Sequence, residues 1–114
     1  MEDRRLQGTW RSDARRTGKE IDSWRDIPVR RKRKLKALFG KLQLKFTRTR
    51  CYASLNGVNW VHRYKVLAKD ETGVAILTEE PDTHPRISHI HFESIYFWIH
   101  IGNGRLREFF RRMI

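Results

Sequence analysis

A single cysteine, Cys51, stands in 114 residues, so no internal disulfide can staple the chain. A reducing compartment is its simplest setting. No apolar run approaches the roughly 18 residues that a membrane span requires. The start, Met-Glu-Asp-Arg-Arg, lacks the apolar stretch of a secretory signal. The expectation is a soluble, cytoplasmic protein. Internal repeats, low-complexity tracts and domain linkers are also missing, which leaves one domain over residues 1–114. There is no Gly-rich phosphate loop, no Cys-x-x-Cys, no His-Glu-x-x-His, and no Ser/His/Asp grouping arguable from spacing. No catalytic residue is therefore assigned, no cofactor is called for, and the reading leans away from an enzyme. Acidic residues are outnumbered, 13 against 25 Lys and Arg, for a formal charge of +12. Such a field attracts anions, whether nucleic acid, acidic lipid, or small carboxylates and phosphates.

What is present is mostly strand signal. Leu6, Gly8 and Trp10 share one face of a first strand that runs to Asp13. A polar stretch follows from Ala14 to Asp22, anchored only by Trp24. Asp26 and Pro28 then predict a helix start, with Gly40 as its stop after Phe39. Val29, Leu35, Leu38 and Phe39 would form its apolar stripe against the barrel. From Lys41 the period changes to two, with Leu42, Leu44 and Phe46 alternating with polar residues. Asn56-Gly57 is the strongest hairpin signal, because both central residues of a type I′ turn need positive φ. Its register sets Cys51 opposite His62 and Ala53 opposite Trp60. Asp70 to Gly73 makes the next turn, and Glu80 to Pro85, with two prolines, is a loop. A hairpin from Ser88 to Ile101 and a last strand from Arg105 to about Arg112 complete the set. The fold class predicted is mainly β: an antiparallel, eight-stranded, up-and-down barrel with one helix between the first and second strands.

The Ser88–Ile101 hairpin carries most of the functional question. A two-residue turn at Ser94-Ile95 pairs Glu93 with Tyr96, His91 with Trp98 and His89 with His100. A second turn at Asn103-Gly104 sets His100 opposite Arg107, Trp98 opposite Phe109 and Tyr96 opposite Arg111. One face thus gathers aromatic rings and titratable groups, while the other carries Ser88, Ile90, Phe92, Phe97, Ile99 and Ile101. Pointing the apolar face inward would expose Tyr96, Trp98 and Phe109 together, which is unusual for a monomer. The reading adopted turns the His face inward. The apolar face then needs a cover: the helix, the N-terminal segment, or a second copy in a homodimer.

Gly8-Thr9-Trp10 on a first strand resembles the Gly-x-Trp signature of the lipocalin and fatty-acid-binding (calycin) barrels. In that family the Trp packs across the closed end against an Arg of the last strand. The resemblance implies that role for Arg111 or Arg112, and a non-catalytic, lipocalin-like binder of small, partly apolar molecules. The Arg-x-Tyr carboxylate clamp of the fatty-acid binders is absent, since Phe109 stands two positions after Arg107.

The expected function is non-enzymatic binding of a small anionic, aromatic or amphipathic ligand. The pocket residues would be His89, His91, Glu93, Tyr96, Trp98, His100, Arg107 and Phe109. No metal is assigned, although His89, His91 and His100 offer a three-nitrogen set for a metal-binding or hydrolytic alternative. The basic run through residues 29–41 supplies another, contact with nucleic acid or an anionic membrane. Cys51 beside His62 reads as a buried free thiol rather than a nucleophile.

Overall fold

The computed structural model describes residues 1–79, 85–101 and 104–113. The expected loop over Glu80 to Pro85 and the turn at Asn103-Gly104 lie largely outside the described residues. The elements are β1 (Gly8–Ser12), α1 (Ala14–Asp22), α2 (Val29–Lys36), β2 (Gln43–Phe46), β3 (Arg50–Leu55), β4 (Val58–Lys69), β5 (Gly73–Glu79), β6 (Arg86–Glu93), β7 (Tyr96–Ile101) and β8 (Leu106–Arg112). The strands close into a barrel in sequence order, and β8 returns antiparallel to β1. Closure leaves no sheet edge.

Turn chemistry fixes the registers. Asn56 and Gly57 adopt positive φ of 50° and 83°. They place Cys51 opposite His62 and Ala53 opposite Trp60, as the Asn-Gly turn predicts. Ser94 also takes positive φ, and β6 pairs with β7 through Glu93–Tyr96, Phe92–Phe97 and His91–Trp98. The β7–β8 register runs from Tyr96–Arg111 to Ile101–Leu106 and includes His100–Arg107. The expected His89–His100 pair does not form, because among the described residues the ladder ends at His91–Trp98.

The strand termini on one side meet in a packed plug. Leu6 precedes β1 and is fully buried, and its carbonyl accepts from Trp10 Nε1 at 2.8 Å. Trp10 meets Phe97 edge-on at 4.7 Å, and the Arg112 guanidinium lies 4.3 Å over its ring. Arg112 also donates to the carbonyls of Gln7 and Arg5. Gly8, at φ 126°, lets that side chain pass: a Cβ there would sit 2.7 Å from Arg112 Nη1. Asp3, also buried, holds Arg5 through both carboxylate oxygens, and Arg5 lies over Phe92. That pairing holds the Asp3 carboxyl below its usual range.

The connection from β1 to β2 departs from the expectation of one helix. Ala14–Asp22, read as a polar loop, is helical. Asp13 caps it by accepting from the Arg16 N–H at 2.9 Å, and Thr17, Gly18 and Ile21 face inward. The buried face contains one aliphatic side chain, so no apolar stripe announces it. Thr17 Oγ1 accepts from the Phe109 N–H at 3.0 Å, and the Asp13 N–H donates to the Phe109 carbonyl at 2.8 Å. The helix thereby takes over β8 where β1 leaves it. α2 is shorter than predicted, ends at Lys36, and packs on α1 rather than the barrel. Pro28 occupies its cap position while Asp26 turns to Arg105. Six cations without an acidic partner in the first turn give this helix little of its own stability.

Replacing Trp10 with Ala should cost about 3–5 kcal/mol, as for other buried large-to-small aromatic changes. Urea unfolding measures it, and a loss below about 1 kcal/mol would show that the ring does not secure this end.

Candidate functional site

The faces of the barrel wall follow from strand alternation. Ile90 and Phe97 are buried in the barrel core with Val74, Ile76 and Phe110. The apolar face of the β6–β7 hairpin therefore points inward. His89, His91, Glu93, Tyr96, Trp98 and His100 lie on the outer face, which corrects the pocket-wall assignment. Arg107 and Phe109 of β8 are outside with them. The argument against this orientation was the exposure of three rings together, and α1 removes it. Phe109 has no exposed surface, and Arg16 of α1 lies 3.9 Å over its ring. Tyr96 and Trp98 are half-buried. The cover sits on the aromatic face.

The barrel interior contains a cavity of about 300 Å³. Leu44, Phe46, Ala53, Ile76, Phe97 and Ile99 give it an apolar wall. Trp60, opposite Ala53, lines it as well. Its polar groups are His62, Thr78, Arg86 and Ser88. Thr78 and Arg86 are paired across β5 and β6 near the end of the barrel opposite Trp10. The Asn-Gly register had already set Trp60 and His62 on the face of Cys51 and Ala53. Arg86, beside the Pro85 loop, carried no signal of its own.

The outer cluster is a ring stack. His91 lies 3.9 Å from Trp98 with only 10° between planes, and His89 lies 4.0 Å from His91. Arg107 caps Trp98 at 4.9 Å and is gripped by Glu20 of α1 through two 2.8 Å bonds. Its guanidinium holds the Glu20 carboxyl below the ordinary range. Burial, helped by His89 and His100, lowers the His91 pKa. Because the His89 ring sits along its own strand on His91, it does not meet His100, whose ring is 6.2 Å from that of His91. Among the described residues no three His, Cys, Asp or Glu side chains converge as a metal donor set. Glu93 is exposed at the turn end of the stack.

Of the two arginines offered by the resemblance, Arg112 lies over Trp10, while Arg111 sits on the outer face beside Arg15 and Lys19. Burial pushes the Cys51 thiol up to about 12, so it is protonated at neutral pH despite facing His62. No α2 residue is buried, and Val29 and Leu38 are exposed, so the predicted apolar stripe does not meet the barrel. No helix among the described residues is long and apolar enough to cross a membrane.

Glu108 is a buried acid that sequence reasoning missed. It faces inward from β8, 8% exposed, and accepts from Ser12 Oγ at 2.7 Å, while the Gly40 N–H donates to the same hydroxyl. Burial raises its pKa, partly offset by that bond. The folded state thus holds this proton more tightly than the unfolded chain, and stability falls as pH rises through the folded pKa. Glu108→Gln keeps an acceptor for Ser12 and removes the charge. It should raise the unfolding midpoint at neutral pH, with the gain vanishing below about pH 4, the ordinary carboxylate range. A gain that persists unchanged in acid would refute the assignment. Comparison of the chain with protein-family models, curated proteins and solved structures gives no match.

Proposed function

We propose that the protein is a non-enzymatic, lipocalin-like binder of a small, largely apolar or amphipathic molecule, held inside the barrel. One observation carries this reading: the roughly 300 Å³ interior space has an apolar wall and only a few polar groups, near one end. Binding sites for small molecules have that composition, with apolar bulk for affinity and few polar groups for orientation. The plug of Leu6, Trp10 and Arg112 at the other end supports it, since a barrel closed on one side leaves a one-ended pocket. The Gly8-Thr9-Trp10 motif with Arg112 over the indole is the calycin feature that supports the family likeness. The aromatic and His residues first considered as pocket walls belong to the outer stack in this reading.

An uncharged naphthylamine fluorophore should brighten on mixing with the protein and be displaced by aliphatic alcohols. Ala53→Phe projects a ring into the cavity and should weaken that binding at least about tenfold, a shift of about 1.4 kcal/mol. His91→Leu, on the outer face, should leave affinity within about twofold. Equal loss in both variants, or no brightening by the folded wild type, would sink the proposal.

A second reading rests on α2, where Arg30, Arg31, Lys32, Arg33, Lys34 and Lys36 fall within eight residues and none is buried. Such a helix suits a polyanionic surface. Affinity for single-stranded oligonucleotides or acidic vesicles should fall steeply with salt. Arg31→Glu with Arg33→Glu should flatten that slope, and an unchanged slope removes α2 as the contact.

A further inference from the structure

Among the described residues the closed wall is thinly paired between β6 and β7. β6 is paired with β5 from Arg86 to His91, and β7 is paired with β8 through Ile101. Between β6 and β7, however, the described ladder covers only the three pairs nearest the turn. Beyond His91 and Trp98 the strands part around a cleft of about 510 Å³. Its β6 side is Arg86, Ile87, Ser88 and His89, and its β7 side is Ile99, His100 and Ile101. Arg86, Ser88 and Ile99 line both this cleft and the interior cavity, so the two spaces share that part of the wall.

The chemistry changes across that junction. Inside, the lining is apolar. In the cleft the polar side chains described are a guanidinium, a hydroxyl and two imidazoles, all able to donate, and among the described lining residues none is a carboxylate. Two described acids near the cleft histidines are engaged elsewhere. Glu20 is held by Arg107, and Asp70 accepts from the backbone of Thr72 and Gly73. No ion pair to Arg86 forms among the described residues.

We propose that the β6–β7 cleft holds the anionic head, a carboxylate or similar oxyanion, of an amphipathic ligand whose apolar part lies in the barrel. This rests on the binding function proposed above and adds where the head sits and what charge it carries. Arg86 supplies the fixed charge, and His89 and His100 donate from the outer lips. The ligand passes sideways through the wall, with its head on the outer side of the β6–β7 hairpin.

The test compares octanoate with octan-1-ol by calorimetry on the full chain. Wild type should bind octanoate about tenfold more tightly, the scale of one charge-assisted hydrogen bond. Arg86→Gln should abolish that preference and leave octanol unchanged. Arg63→Gln, at an exposed cation of β4 that does not line the cleft, should preserve it. The His89 and His100 imidazole resonances should move with octanoate and stay in place with octanol. Equal affinity for the two probes, or equal loss in Arg63→Gln, overturns the assignment of the cleft while leaving the cavity reading intact. Failure of both probes to bind the folded protein overturns both.

Discussion

The contact between Trp10 and Arg112 is the constraint on which the barrel depends. It joins the first strand to the last, so it fixes closure as well as packing. The indole N–H is satisfied by the Leu6 carbonyl, which draws the N-terminal segment across the barrel end. Arg112 then bonds the backbone of that same segment. A cation over an indole is worth about 0.5–2 kcal/mol. Its larger effect is geometric, because the one arginine satisfies carbonyls that would otherwise be left by the chain turning over the core. Gly8 follows from it, since the guanidinium occupies the volume of a Cβ.

With one end closed, the placement of α1 decides what the rest of the surface can be. The helix lies on β8, covers Phe109 and leaves the barrel interior free. Glu20 then finds Arg107, which is already stacked on Trp98. The outer histidines extend that stack along β6. Of these rings Phe109 is the one that α1 covers directly. The interior cavity is lined by the side chains of the opposite face, Phe97 and Ile99 among them.

Registers were legible because short turns constrain them arithmetically. Asn56-Gly57 placed Cys51 against His62, and Ser94-Ile95 placed His91 against Trp98, without any knowledge of the core. The Gly8-Thr9-Trp10 motif pointed to a Trp packed by a last-strand arginine, though it did not choose between Arg111 and Arg112. Orientation was not legible, because both hairpin faces carry large apolar groups and the choice rests on what covers each. That cover was α1, whose buried residues are Thr17, Gly18 and Ile21. A threonine hydroxyl bonded to a strand N–H and a glycine at a close approach have no hydrophobic period. The visible helix signal, at Asp26 and Pro28, led instead to the more exposed α2. Arg86 was missed for another reason: it alternates with Ser88 and Ile90 on the inner face, but the strand read from the sequence begins at Ser88.

The distribution of charge follows the same division. Among the residues that face inward, Glu108 is the buried acid, and it is held by a serine rather than by a cation. An arginine beside it would have ionised it and carried a second desolvation penalty into the core. The excess of positive charge is left on the outer wall and on α2, where water screens it. Arg86 stands between these regimes, in contact with an apolar cavity on one side and a wet cleft on the other. A fixed cation on that boundary would act on an anion partly removed from water, where a charge pair is stronger than in bulk solvent. The long-range field of the protein is shared by every anion. In the proposed binding, discrimination among them would come from a place where charge and apolar volume adjoin, as they do at Arg86.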